Sequence, residues 1–168
     1  MIVLGIDPGS HVTGWGVIES SGSKLRHLAS GTIVAQGESL AARLVCIAAG
    51  LEAVVARFSP QAVAVENIFH AKNSRSALQL GHARGVALLV AARSGSTIHE
   101  YNPTQIKQSL TGRGRADKMQ VQKMVQMVLG PLGTLALDAS DALAAAICHT
   151  EMARSGAAIA SAERGPAA

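Results

Sequence analysis

The chain opens on an apolar run, Ile2-Val3-Leu4-Gly5-Ile6, that stops at a carboxylate, Asp7. Positions of both parities are apolar, so the segment must be covered on both faces, as in a central strand with helices above and below. Pro8-Gly9-Ser10 then turns the chain. Thr13 to Ile18 reads as a second strand, and Ser21-Gly22-Ser23 leads to a third from about Leu25 to Val34, which makes an antiparallel meander. From Ser39 to about Phe58 the residues Leu40, Leu44, Ile47, Leu51, Val54 and Val55 recur at helical spacing until Ser59-Pro60 stops the pattern. A strand over 62–66, a helix over about 74–93 and a strand over 97–101 follow. Pro103 suits the first turn of a helix running to about Leu110, Asp117 is a possible N-cap for a helix to Leu129, and a last helix begins at Asp138.

Three meandering strands followed by alternating helices and strands imply an α/β domain with a five-stranded mixed sheet flanked by helices. This βββαβαβα order is the RNase H-like arrangement. A chain of 168 residues with 48% hydrophobic content supports one core, expected over 1–153. The Ala/Gly/Ser-rich stretch 154–168 offers little to pack and is expected to form a flexible tail. Aromatics are confined to Trp15, Phe58, Phe69 and Tyr101, so the core must be built from Val, Leu, Ile and Ala. No apolar run reaches the roughly 18 residues of a membrane span, and the N-terminus has the pattern of a strand with no basic leader. The expectation is a cytoplasmic protein with no membrane partner. Cys46 and Cys148 are isolated in apolar helical surroundings and are expected to be buried free thiols.

Four carboxylates stand where such elements begin or end. Asp7 closes the first strand, Glu66 closes Ala62-Val63-Ala64-Val65, and Asp138 and Asp141 open the Ala-rich last helix. Charges at such positions are costly unless paired or bound to a cation, and no Arg or Lys adjoins any of the four in sequence. An all-oxygen set selects Mg²⁺ or Mn²⁺, whereas zinc would usually call for Cys or His. Two ions about 3.5–4 Å apart suit phosphodiester cleavage, with Asp7 as the bridging ligand. By themselves, Asp138 and Asp141 also fit a helix cap, with Asp138 as N-cap and Asp141 completing a capping-box-like pattern. The convergence of three separate segments on one end of one sheet favours a site.

Charge is unevenly distributed. Residues 70–123 carry nine Lys and Arg against two acids, a net +7, while the remainder is −3 and holds all four carboxylates. An acidic centre beside a basic belt is what a nuclease needs, with carboxylates for metal and cations for the phosphate backbone. A plain solvated basic face is the alternative.

Five segments, Gly5-Ile-Asp-Pro-Gly-Ser10, Glu66-Asn-Ile-Phe-His-Ala-Lys-Asn73, Gln79-Leu-Gly-His-Ala-Arg-Gly85, Tyr101-Asn-Pro-Thr-Gln-Ile-Lys107 and Asp138-Ala-Ser-Asp-Ala-Leu-Ala144, closely resemble, in order, the RuvC family of bacterial Holliday-junction resolvases. The resemblance spans about residues 2 to 150. It implies a homodimeric endonuclease with two Mg²⁺ per active site, Mn²⁺ substituting, that nicks opposing strands of a four-way DNA junction symmetrically. It also implies contact with the RuvAB branch-migration complex. The family's catalytic and metal-holding acids fall on Asp7, Glu66, Asp138 and Asp141. Lys107 and Lys118 match basic positions near the scissile phosphate, and Phe69 matches a wedge that stacks on unpaired bases at the junction centre. Lys72, Arg75, Arg113 and Arg115 complete the expected DNA contacts, the last two in the basic turn Gly112-Arg-Gly-Arg115. Each has a plainer reading, as a solvated helix lysine, a loop Phe folded on the core or an exposed turn.

The helix expected over 74–93 carries Ala77, Leu78, Gly81, Gly85, Leu88 and Leu89, a face that admits close approach of another element. Packing on the chain's own sheet is its default explanation, and a two-fold mate is the alternative the resemblance supplies. Three other functions remain open at this point. The opening Gly-Ile-Asp-Pro-Gly-Ser also resembles the first phosphate loop of actin-like sugar kinases and chaperone ATPases, which need two such domains. A different RNase H-like nuclease acting on RNA or rRNA precursors, or a junction-binding protein without catalysis, would share much of the pattern.

Overall fold

A computed structural model describes residues 1–67 and 74–163, with side chains through residue 156. The first strand, β1 (Ile2–Asp7), is buried along its middle and pairs antiparallel with β2 (Val12–Ser21) and parallel with β4 (Ala62–Glu66). On the outer side of β2 lies β3 (Lys24–Val34), with a register shift at Val17/Ile18, and β5 (Thr97–Tyr101) extends the sheet parallel to β4. The strand order β3-β2-β1-β4-β5 is the expected five-stranded mixed sheet. The second strand is longer than its apolar pattern indicated, because the hairpin keeps pairing through Ser20 and Ser21 after the apolar residues end.

Strand alternation sorts the core into two layers. Leu4, Ile6, Val63 and Val65 face α1 (Leu40–Phe58) and α2 (Ser74–Arg93), meeting Ile47, Leu51, Ala83 and Ala87. Val3, Ala62, Ala64 and Tyr101 face α3 (Pro103–Thr111), α4 (Lys118–Leu129) and α5 (Leu137–Glu163). Small residues, Gly5, Gly14, Ala62 and Ala64, lie on this second face, and an Ala-rich helix approaches its glycines almost backbone to backbone. A methyl group at Gly5 would come within 1.8 Å of the Ala142 carbonyl oxygen, and one at Gly14 within 1.9 Å of the Asp138 carbonyl oxygen. Glycine at these two positions sets how deeply α5 sits.

Local chemistry fixes the helix starts. Ser39 caps α1 by accepting from the Ala42 N–H, Pro103 opens α3, and Asp117 caps α4 by accepting from the Gln120 N–H at 2.8 Å while Gln120 returns the bond to the Asp117 N–H. Helix α5 departs from expectation at both ends. It begins at Leu137, with the Ser140 N–H bonded to Ala136, so Asp138 lies inside the first turn and is not the N-cap. It also continues to Glu163, past residue 153 where the packed domain was expected to end, because Ala-rich sequence sustains a helix after burial falls away over residues 151–156.

Helix α2 corrects another expectation. Its buried residues are Ala83, Ala87, Val90 and Ala91, whereas Leu78 and Leu89 are 63% and 50% exposed and, among the described residues, nothing beyond the helix's own backbone lies within 4 Å of a methyl group placed at Gly81 or Gly85. The small-residue face does not pack on the chain's own sheet. Cys148 is buried as expected, while Cys46 is only partly so, its thiol lying 3.5 Å from the Val34 carbonyl oxygen. Among the described residues no helix is long and apolar enough to cross a membrane.

Candidate active site

Asp7 and Glu66 are the last residues of neighbouring parallel strands. The register pairs Ile6 with Val65, so one step further sets Asp7 beside Glu66. Asp7 shares parity with Val3 and Gly5, and Glu66 with Ala62 and Ala64, so both carboxylates project to the face covered by α5. The N-terminal turns of α5 bring the other two acids. Asp7 pairs with Gly14 in the antiparallel ladder, and the Asp138 backbone rests on that glycine. Asp141 follows three residues later on the same helix face.

A cavity of about 220 Å³ opens here, lined by Asp7, Glu66 and Asp141, by Lys107 and Lys118, and by Pro103, Ile106 and Val121. Lys107 comes from α3 and Lys118 from the first position of α4, held there by the Asp117 cap. The Lys118 ammonium donates a 3.0 Å hydrogen bond to Asp141 Oδ2. Asp138 does not line the cavity, although its charge reaches Asp7 and Lys118.

The electrostatics are those of acids short of positive charge. Burial, and then repulsion from Asp141 and Asp138, push the Asp7 carboxyl up to about 7 against the lowering effect of Lys118. Burial, and then Asp7 and Asp141, push Glu66 up to about 8, although Lys118 and Lys107 both oppose the rise. The hydrogen bond to Asp141, followed by that residue's charge, holds the Lys118 ammonium above its ordinary range. Two lysines therefore do not neutralise the acids. Among the described residues no three Asp, Glu, His or Cys side chains converge closely enough to hold an ion as they stand. The donor set still fits a hard divalent cation, since it is all oxygen, partly buried and destabilised by its own charge.

The other residues singled out in the sequence are more scattered. Arg75 is exposed in the first turn of α2, and Arg113 and Arg115 are exposed in the turn between α3 and α4. Arg113 also borders a shallow groove of about 400 Å³ with Lys123, Met124 and Met127. Arg84, counted in the basic belt, is engaged by Glu100. Phe69 and Lys72 lie outside the described residues. The apolar wall of the cavity, Pro103, Ile106 and Val121, was not anticipated; the helical spacing of Pro103, Ile106 and Lys107 was the available signal. Also unanticipated was the seating of α5 on Gly5 and Gly14, although Gly5 shares the parity of Asp7 in the opening run.

The family model described as "Crossover junction endodeoxyribonuclease RuvC" matches residues 3–149. A crossover junction endodeoxyribonuclease RuvC of Hahella chejuensis is 50% identical over 147 residues, covering 88% of this chain and 86% of its own. Its counterpart in Parvibaculum lavamentivorans is 52% identical over 147 residues, covering 87% and 84%. The solved structure of T. thermophilus RuvC in complex with a Holliday junction substrate superposes with a TM-score of 0.86 at 36% identity, over 93% of this chain and 96% of that one.

Proposed function

The chain belongs to the RuvC family of crossover junction endodeoxyribonucleases, and from that premise we propose how its residues resolve a Holliday junction. It is an RNase H-like endonuclease that depends on divalent metal. The observation that carries the site assignment is the placement of Asp7 and Glu66 on adjacent strand ends, facing Asp141 and two lysines across one cavity.

Asp7, Glu66, Asp138 and Asp141 would together hold the ions, two Mg²⁺ or Mn²⁺ per site. Bound there, the ions supply an activated water and charge neutralisation at the leaving oxygen. The protein's own groups do the rest. Lys107 and Lys118 draw the scissile phosphate into the cavity and meet the negative charge that builds on it. Pro103, Ile106 and Val121 keep bulk water from one wall, which strengthens each of those charge contacts. Arg75, Arg113 and Arg115 hold the phosphate backbone along the arms. Phe69, by family resemblance, stacks on unpaired bases at the junction centre, and Lys72 adds to the DNA contacts.

Cutting two opposing strands calls for two sites. The exposed α2 face around Leu78, Gly81, Gly85 and Leu89 supports a two-fold homodimer, since glycines four apart let a second helix approach closely. A two-fold protein presents identical sites to a pseudo-symmetric junction, so its two nicks are equivalent. The dimer works in the cytoplasm and meets the RuvAB branch-migration complex, as the family resemblance implies.

The test is cleavage of an immobile four-way junction beside linear duplex of the same sequence, in Mg²⁺ and in EDTA, with nicks mapped on all four strands. Paired, symmetric, religatable nicks confined to the junction in Mg²⁺ are expected. Equal cutting of linear duplex would instead mark a different RNase H-like nuclease, and binding without nicks a structural junction binder.

A further inference from the structure

Glu66 is held from the side by the strand that follows it in the sheet. Tyr101 pairs with Glu66 in the parallel register, and the Asn67 N–H donates to the Tyr101 carbonyl oxygen at 2.8 Å. Asn67 is tied again by its side-chain amide, which donates to Asn102 Oδ1 at 3.4 Å. The end of β4 thus moves with the end of β5. Because paired residues on adjacent strands share a face, the Tyr101 ring turns toward α5, where its hydroxyl meets His149 Nδ1 at 2.9 Å. His149 is 5% exposed and stands two turns beyond Asp141 on the same helix, with its ring 4.2 Å from that of His99.

The protonation states keep this bond between uncharged partners. Burial, and then the neighbouring His99, hold the His149 imidazole down at about 4, and burial pushes the Tyr101 hydroxyl up to about 12. His149 is therefore neutral and Tyr101 protonated across the working pH range, so the bond joins two uncharged groups and persists through it, its donor set by the imidazole tautomer. Helix α5 is then fastened at two places. Its N-terminal half sits on β1 and β2 through the close approach at Gly5 and Gly14, and farther along it is bonded to β5. Glu66, on β4, lies between the two fastenings.

We propose that the buried Tyr101–His149 hydrogen bond is a positioning contact for the active site: by tying β5 to α5 it sets the separation of Glu66 from Asp141, and through it the affinity of the carboxylates for divalent ions. The inference rests on the reading above that these acids hold the ions. A purely structural role for the bond would change thermal stability and leave that affinity alone.

Mn²⁺ binding to the metal-free, full-length protein, followed by calorimetry together with melting temperature, separates the two. Tyr101→Phe keeps the ring and removes only the hydroxyl. It is expected to weaken Mn²⁺ binding by about tenfold, the lower end of what outer-sphere partners of metal ligands contribute. The Mg²⁺ needed for half-maximal junction cleavage should rise in parallel, with junction affinity in EDTA unchanged. His149→Leu should match it, and His149→Asn, which places an amide oxygen near the position of Nδ1, should recover most of the loss. The double variant Tyr101→Phe/His149→Leu should lose no more than either single one. Mn²⁺ affinity in Tyr101→Phe within twofold of the parental value would overturn the proposal, provided Asp7→Asn loses binding in the same assay. Binding left intact in Asp7→Asn would overturn the carboxylate assignment, and this inference with it.

Discussion

The Lys118 ammonium donates to Asp141 Oδ2 at 3.0 Å, across 23 residues of sequence and from the first turn of α4 to the second turn of α5. The two partners are not equally placed. The Asp141 side chain is 18% exposed and the lysine 63%, so the carboxylate is anchored and the lysine can swing. An ion pair with one exposed partner is worth only about 0–1 kcal/mol, so it yields readily to a stronger partner such as a phosphate.

Lys118→Ala is accordingly expected to slow junction cleavage by about 100-fold, the scale for losing one charge-stabilising donor, while weakening junction binding only slightly. Single-turnover rates and gel-shift affinities measured on one preparation check this. Equal losses in the two would reassign Lys118 to simple backbone contact.

Asp7→Asn is expected to abolish nicking and leave junction affinity unchanged or slightly higher, since it removes a negative charge that faces the phosphate. Cleavage in Mg²⁺ and binding in EDTA measure the two separately. Nicking at the parental rate would remove Asp7 from the mechanism.

The carboxylates also predict how stability responds to pH. Asp7 and Glu66 have folded-state values raised to about 7 and about 8 from ordinary values of 3.8 and 4.5, so the ion-free folded state retains protons that the unfolded chain has released. Their contribution is most favourable at low pH and is lost as pH rises through 7 and 8. His149 works in the opposite sense, but only between about 4 and 6.5. Melting temperature in EDTA should therefore fall from about pH 6.5 to about pH 8.5, and the increment given by Mg²⁺ should grow over that interval, because the ion favours the ionised acids. An increment independent of pH would contradict the assignment.

Gly5→Ala should be among the most damaging single methyl additions in the chain. The new Cβ would lie 1.8 Å from a helix carbonyl oxygen with backbone on both sides, so α5 must lift from the sheet. A loss at or beyond the upper end of the usual 1–3 kcal/mol for overpacking, about 3 kcal/mol, is expected in urea titration. Gly81→Ala, in open space on α2, should leave the stability of the monomer fold nearly unchanged.

The same open face tests the dimer. Leu89→Arg places a charge on a surface that in the chain alone is 50% exposed, so the monomer fold should tolerate it while a two-fold interface should not. Light scattering is expected to show a monomer, and junction products should shift from paired to single nicks. A variant that remains dimeric would move the interface elsewhere.

Much of this was legible in the sequence because it is local. Alternation and helical spacing act within one or two turns, and the caps at Ser39 and Asp117 and the proline at 103 act within three residues, so the order and nearly all the bounds of the elements could be read directly. The four acids stood out for the same reason, as charges at the ends of apolar runs. Asp138 shows the limit of local reading. Its residue type suits an N-cap, yet the Asp138 carbonyl seats on Gly14 and the helix begins a residue earlier.

The amino-acid sequence by itself thus determined a five-stranded α/β sheet with carboxylates at two strand ends and one helix start, since each of those signals is carried by neighbouring residues. Only the tertiary structure decided that Asp7 and Glu66 share the α5 face, that Lys118 reaches Asp141, that Tyr101 meets His149, and that the glycine face of α2 is left open. Those pairings join residues 23 to 59 positions apart, and they depend on strand register and helix seating, which arise only when the whole core closes.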